Sequence, residues 1–278
     1  RRAPQGGARD AEAPRRSPLM KLAVAATAPF GADVLELLAA SNDIAFLLTR
    51  PDAPQGRGRK LAPPPAKETA DRLGIPVHQA EKPELPGDVD VVVMCAYGLY
   101  IPSRLLDSAL WVNVHPSLLP RWRGAAPVER AILEGDEQTG VTLHRTTPEL
   151  DAGPIAAQEA FSIDSLDAGA VYARCAEIAA RLIGKVLPEP VFTTQTDEGA
   201  TYADKIRPDD RTLDLANPTD AWRRVRALSP HIGARAEVEG RSVTIWEGHL
   251  DDGRFVPDVV QPDGKRAMTY DEFLRGLR

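Results

Sequence analysis

Apolar residues fall into two rhythms along the first two thirds of the chain. Short runs with almost nothing polar in them, at residues 22–26, 44–49 and 89–96, have the length and aliphatic content of strands buried on both faces. Between them lie stretches with apolar positions spaced three and four apart. These predict helices at 32–40, 69–73 (ended by Gly74), 103–109, 127–134 (closed by Gly135) and, longest of all, 168–187. Shorter strand-like segments stand at 75–78 and 111–115, and an alternating one at 141–145. Strands alternating with helices predict an α/β fold, a Rossmann-like, mostly parallel sheet with helices on both faces. Ligands then sit beyond the carboxyl ends of the strands.

The rhythm changes after residue 187. Residues 188–208 are rich in Pro, Thr and acids and read as a linker. A helix at 218–228 and alternating stretches at 234–238, 242–249 and 254–260, with Gly-containing turns, predict a smaller β-rich, OB-like domain over 209–278. Residues 1–19 hold Arg, Pro, Gly and Ala with little to bury and read as a disordered extension. Met20 directly precedes the first strand and reads as the natural start, a flexible arm being the competing view. The main α/β domain is therefore placed at 20–187.

Composition adds exclusions. No apolar run approaches the roughly 20 residues that span a bilayer, so no membrane is expected. Cys95 and Cys175 lie in apolar contexts without metal-ligand spacing; buried free thiols are expected, as in a reducing cytoplasm. With 40 acidic against 34 basic residues, the net charge of -6 argues against a uniformly basic nucleic-acid binder, though not against a local patch. The segment from Ala25 to Gly31 lacks the GxGxxG fingerprint, which argues against a nicotinamide cofactor.

The densest chemistry lies in Asn113-Val-His-Pro-Ser-Leu-Leu-Pro-Arg-Trp-Arg-Gly-Ala-Ala-Pro127. Asn113 and His115 stand two apart at the end of a predicted strand, so they project from one face. An amide can donate to a developing oxyanion, and an imidazole can pass protons near neutral pH. Such a pair alone is more often structural than catalytic. Asp151, in Leu150-Asp-Ala-Gly-Pro154, adds a third group. It reads either as an Asx-turn residue or as a carboxylate that orients His115 and supports its charged form. His144, on the strand before it, reads as a core or solvent-facing histidine rather than a catalytic one.

At these residues the chain resembles the formyltetrahydrofolate-dependent formyltransferases. The Asn113-Val-His115 strand end, the loop Ser117-Leu118-Leu119-Pro120 and the Asp151 turn carry the resemblance. The loop from Arg50 to Lys67, Arg121-Trp-Arg-Gly-Ala-Ala-Pro127, Ala200-Thr-Tyr-Ala-Asp-Lys205 and Gln261-Pro-Asp-Gly-Lys-Arg-Ala-Met268 narrow it to members whose acceptor is charged initiator tRNA. The similarity runs from about Met20 to the C-terminus. It implies an enzyme that moves a formyl group from 10-formyltetrahydrofolate to the methionine amino group of initiator methionyl-tRNA, for translation initiation. The residue matching Asn113 would bind the formyl oxygen. The one matching His115 would stabilise the tetrahedral intermediate and move protons, and the one matching Asp151 would orient and charge the histidine. Ser117, Leu118, Leu119 and Pro120 match a folate-binding loop, and the backbone of Cys95, Ala96, Tyr97 and Gly98 would line the pterin pocket. No metal is implied.

Arg50, Arg57, Arg59, Lys60 and Lys67 stand against one acid, Asp52, in a loop with two flanking glycines. A charge cluster is usually a solvated face. Here it is a local excess in an acidic chain, and with Arg121, Arg123 and a Trp122 stacking surface it is expected to meet the tRNA acceptor stem. Asp251, Asp252, Asp258 and Asp263 make the C-terminal module acidic, so a spacer role competes with RNA binding there. Three other functions compete: a formyltransferase for a small amine, a hydrolase releasing formate, and a non-catalytic RNA-binding protein. A monomer is expected.

Overall fold

A computed structural model describes residues 20–55 and 58–277; the expectation for residues 1–19 lies outside them. The first part runs β1 (Leu22–Ala26), α1 (Pro29–Ala39), β2 (Ile44–Thr49), a hairpin of β3 (Ala53–Gln55) and β4 (Lys60–Ala62), α2 (Pro65–Leu73), β5 (Val77–Gln79), β6 (Val91–Cys95), α3 (Ser103–Leu106), β7 (Leu110–His115), β8 (Arg123–Gly124), α4 (Pro127–Glu134), β9 (Gln138–Arg145), β10 (Ile155–Ser162) and α5 (Ala168–Val186). Seven of these strands form one sheet in the order β10-β9-β7-β6-β1-β2-β5. Its β7-β6-β1-β2-β5 part is parallel. β9 runs antiparallel to β7, and β10 antiparallel to β9.

The sequence explains both burial and boundaries. Val91 and Val93 of β6 enter the core shared with α1 and α5, while Val92 enters a second core with Phe46, Trp111 and Tyr97. Both faces of the central strands are covered, which is why their runs are continuously apolar. α1, α2 and α4 each open on a proline in the first turn, where its missing N–H has no helical partner to lose. α2 and α4 end on Gly74 and Gly135 at positive φ, the left-handed cap that glycine adopts without strain. Strand order reverses between β1 and β6, and this opens the crevice at the carboxyl edge where ligands enter such sheets.

The remainder comprises β11 (Tyr202–Ala203), a 3-10 turn (Asp209–Arg211), α6 (Pro218–Leu228), β12 (Ala234–Val238), β13 (Arg241–Asp251), β14 (Arg254–Pro262), β15 (Met268–Thr269) and α7 (Tyr270–Arg275). β12 to β15 make an antiparallel meander whose edges, β12 and β15, do not pair with each other. α6 joins it to the first part: Arg226 is buried and donates to the carbonyls of Ile163 and Leu166. The segment expected to be a linker runs back along the first part. Thr193 bridges to Ile155, and β11 pairs in parallel with β8.

Candidate active site

Asn113 and His115 end β7 at the carboxyl edge of the sheet and are almost fully buried, at 8% and 4% exposure. Asn113 faces His144 across β7 and β9. Its Nδ2 donates to His144 Nε2 at 3.0 Å and to Asp151 Oδ1 at 3.3 Å. His115 Nε2 lies 2.8 Å from the Trp122 carbonyl; a carbonyl only accepts, so this nitrogen carries a hydrogen. Nδ1 of His115 faces Asp151 Oδ2 at 3.6 Å. The expected orienting bond from Asp151 is therefore too long, and the Trp122 carbonyl anchors the ring instead.

Asp151 occupies the turn after β9 with φ +48, a left-handed conformation uncommon for a non-glycine residue. The Gly124 N–H donates to its Oδ2 at 2.8 Å. Gln195 Nε2 donates to the carbonyls of Asp151 and Gly153, each at 3.0 Å. A Cβ at Gly153 would collide with the Arg145 carbonyl, so the turn closes only with glycine there. Gln195, in the segment expected to be a linker, thus holds the turn that carries the carboxylate.

Burial has the largest influence on His115 and pulls its imidazole below the ordinary value; Asp151 opposes this and His144 adds to it. The support for a charged His115 expected from Asp151 is outweighed, and the neutral ring is favoured. Burial works to raise the Asp151 carboxyl. The His144 contact, the electrostatic influence of the His115 and His144 rings and the Gly124 N–H together overcome it, and the group stays ionised below the usual range.

The loop of Ser117, Leu118, Leu119 and Pro120 is a rigid frame beside this set. Ser117 is fully buried and its hydroxyl donates to the Arg121 carbonyl, so it acts within the loop. Thr142 on β9 ties both ends: its hydroxyl donates to the Ser117 carbonyl and accepts from the Leu119 N–H. Gln158 on β10 donates to the Leu119 carbonyl and to Thr142 Oγ1. Cys95 and Tyr97 point their side chains into the two cores, while Ala96 and Gly98, both at positive φ, are exposed.

The basic residues divide. Arg57 lies outside the described residues. Arg50, Arg59 and Lys60 are exposed, and no ion pair involves them among the described residues. Lys67 is paired with Asp52 at 2.9 Å. Arg121 holds Asp136 through two nitrogens and covers the Trp122 ring, its guanidinium 4.4 Å from the centroid. Trp122 itself is buried and donates to Asp136, so it offers no open stacking face. Arg123 is buried on Gln195 and Asp197, and so braces the Asp151 turn instead of reaching a phosphate. Sequence reasoning set His144 aside as a core or solvent-facing histidine; it is buried, but against Asn113. Thr142, Gln158 and Gln195 were missed, and the period-two placement of Thr142 and His144 on the strand beside β7 was the signal for the first.

The sequence pattern of the formyl transferase family matches residues 20–187. A methionyl-tRNA formyltransferase from Halorhodospira halophila is 38% identical, covering 84% of this chain and 88% of its own length. Another, from Methylococcus capsulatus, is 37% identical over 92% of this chain and 96% of its own. The crystal structure of HypX from Aquifex aeolicus with tetrahydrofolic acid shares the fold at a TM-score of 0.63 and 16% identity, covering 92% of this chain and 47% of that longer one.

Proposed function

The chain belongs to the formyl transferase family, and from that premise we propose that it transfers the formyl group of 10-formyltetrahydrofolate to the amino group of methionine on initiator tRNA. The methionyl-tRNA formyltransferase relatives match it over 84% and 92% of its length, well beyond the first domain, which carries the acceptor assignment. The buried Asn113, His115 and Asp151 set supplies the chemistry.

The acceptor amine attacks the formyl carbon, and the carbonyl oxygen becomes an oxyanion. Asn113 donates an amide hydrogen to that oxyanion. His115, neutral and with Nε2–H fixed on Trp122, offers its Nδ1 lone pair to the amine proton. Asp151 stabilises the resulting imidazolium from 3.6 Å. As the intermediate collapses, the C–N10 bond breaks and N10 of the folate takes a proton. The frame tied by Thr142 and Gln158 shapes the donor side. Arg50, Arg59 and Lys60 face the tRNA backbone.

The test is a transfer assay with charged initiator tRNA, uncharged tRNA and free methionine as acceptors. Formylmethionyl-tRNA is the expected product, with free methionine a poor acceptor. Equal efficiency on free methionine would overturn the tRNA assignment, and formate release without any acceptor would replace transfer by hydrolysis.

A further inference from the structure

We propose that His144 is a positioning residue for this reaction: it fixes which edge the Asn113 amide presents to the formyl oxygen. The inference rests on Asn113 being the oxyanion donor.

Asn113 and His144 are register partners on β7 and β9, and His144 is only 2% exposed. His144 Nδ1 lies 3.1 Å from the Arg145 carbonyl. A carbonyl can only accept, so Nδ1 carries a hydrogen; in the proposed tautomer it is the ring's only one, and Nε2, which stands 3.6 Å from Asp151 Oδ1, holds a lone pair. That lone pair, 3.0 Å from Asn113 Nδ2, takes one amide hydrogen. The other hydrogen points at Asp151 Oδ1. Turning the amide over would set its oxygen against the Nε2 lone pair and the carboxylate together, three acceptors with no hydrogen among them. That tautomer of His144 therefore fixes the orientation of the Asn113 amide.

The two hydrogens are held unequally. The one on His144 is short and buried; the one on Asp151 spans 3.3 Å, the weaker bond. A developing oxyanion can draw the second away while His144 keeps the amide plane in place. The two histidines then need opposite tautomers, Nδ1–H on His144 and Nε2–H on His115, and each tautomer is selected by a backbone carbonyl, those of Arg145 and Trp122.

His144→Leu removes the acceptor, and His144→Gln supplies another at similar reach. Both are measured for kcat and for the two KM values, in the wild-type and Asn113→Ala backgrounds. H144L is expected to lower kcat at least about tenfold with both KM values within about threefold, and H144Q to recover much of the loss. With Asn113 already removed, H144L is expected to cost no more than about twofold, because both changes act through one amide. A wild-type kcat in H144L, an equal loss in both backgrounds, or H144Q no better than H144L would overturn the proposal. Nitrogen-15 shifts of the wild-type rings give a readout independent of variant folding: a protonated Nε2 with a bare Nδ1 on His144 defeats the inference. Wild-type enzyme inactive on charged tRNA defeats the proposed function instead, while the tautomer still decides the role of His144.

Discussion

At the residue scale, the chemistry turns on how burial and charge compete around His115. Burial lowers its affinity for a proton more than Asp151 restores it, so the neutral base persists to lower pH than for a solvated histidine. The rate is expected to rise with pH through this depressed value, placing the acid limb of kcat/KM below the ordinary imidazole range near about 6.5. Asp151→Asn removes the influence that raises His115, so the limb should move further to acid while the plateau falls. A pH–rate series on both proteins checks this; a limb moved to higher pH would contradict it. Asn113, His115 and Asp151 were legible from residue type and spacing. Their bonding was not, because hydrogen-bond partners come from the backbone: the Trp122 carbonyl and Gly124 N–H leave no trace in residue identity.

At the scale of elements, β9 does more than fill the sheet. Thr142 serves one carbonyl and two donors, so Thr142→Val leaves several buried groups unpaired and is expected to cost roughly 1–3 kcal/mol of stability. Thermal unfolding reads the cost, and a rise in the folate KM with tRNA KM unchanged reads the loosened loop. An unaltered folate KM would separate this loop from the donor. Gln195→Ala should lower kcat by releasing the Asp151 turn while changing both KM values little, which steady-state kinetics will show. Continuous apolar runs marked β1, β2 and β6 with near-final boundaries. β10 was missed because it is an edge strand, largely half-exposed, whose Ala-rich sequence carries little alternation. α1 and α2 start earlier than their apolar spacing suggested, since Pro29 and Pro65 open them ahead of it.

Across the whole molecule, the positive surface is smaller than the count of basic residues implies. Lys67, Arg121 and Arg123 are committed to Asp52, Asp136 and the Gln195–Asp197 pair. Arg50, Arg59 and Lys60 remain exposed and, among the described residues, outside any ion pair. Replacing these three by Ala should raise the tRNA KM, flatten its salt dependence and leave the folate KM alone. Arg123→Ala should instead lower stability and kcat. Equal effects on tRNA KM from both variants would contradict this division. Sequence could count cations but not pair them, since their acids lie as far as 74 residues away. It also could not show that residues 188–208 return to the first part, because one antiparallel bridge and one two-residue parallel pairing carry that contact.

The central claim is that the buried set at the end of β7 carries formyl transfer to charged initiator tRNA. Rapid-quench single turnover, with 10-formyltetrahydrofolate and methionyl-tRNA both saturating, tests it on wild-type enzyme and Asn113→Ala. The chemical step is expected to slow by about 10²–10³-fold with substrate binding retained, the loss typical of one oxyanion donor. A variant transferring formyl at the wild-type rate would contradict the account.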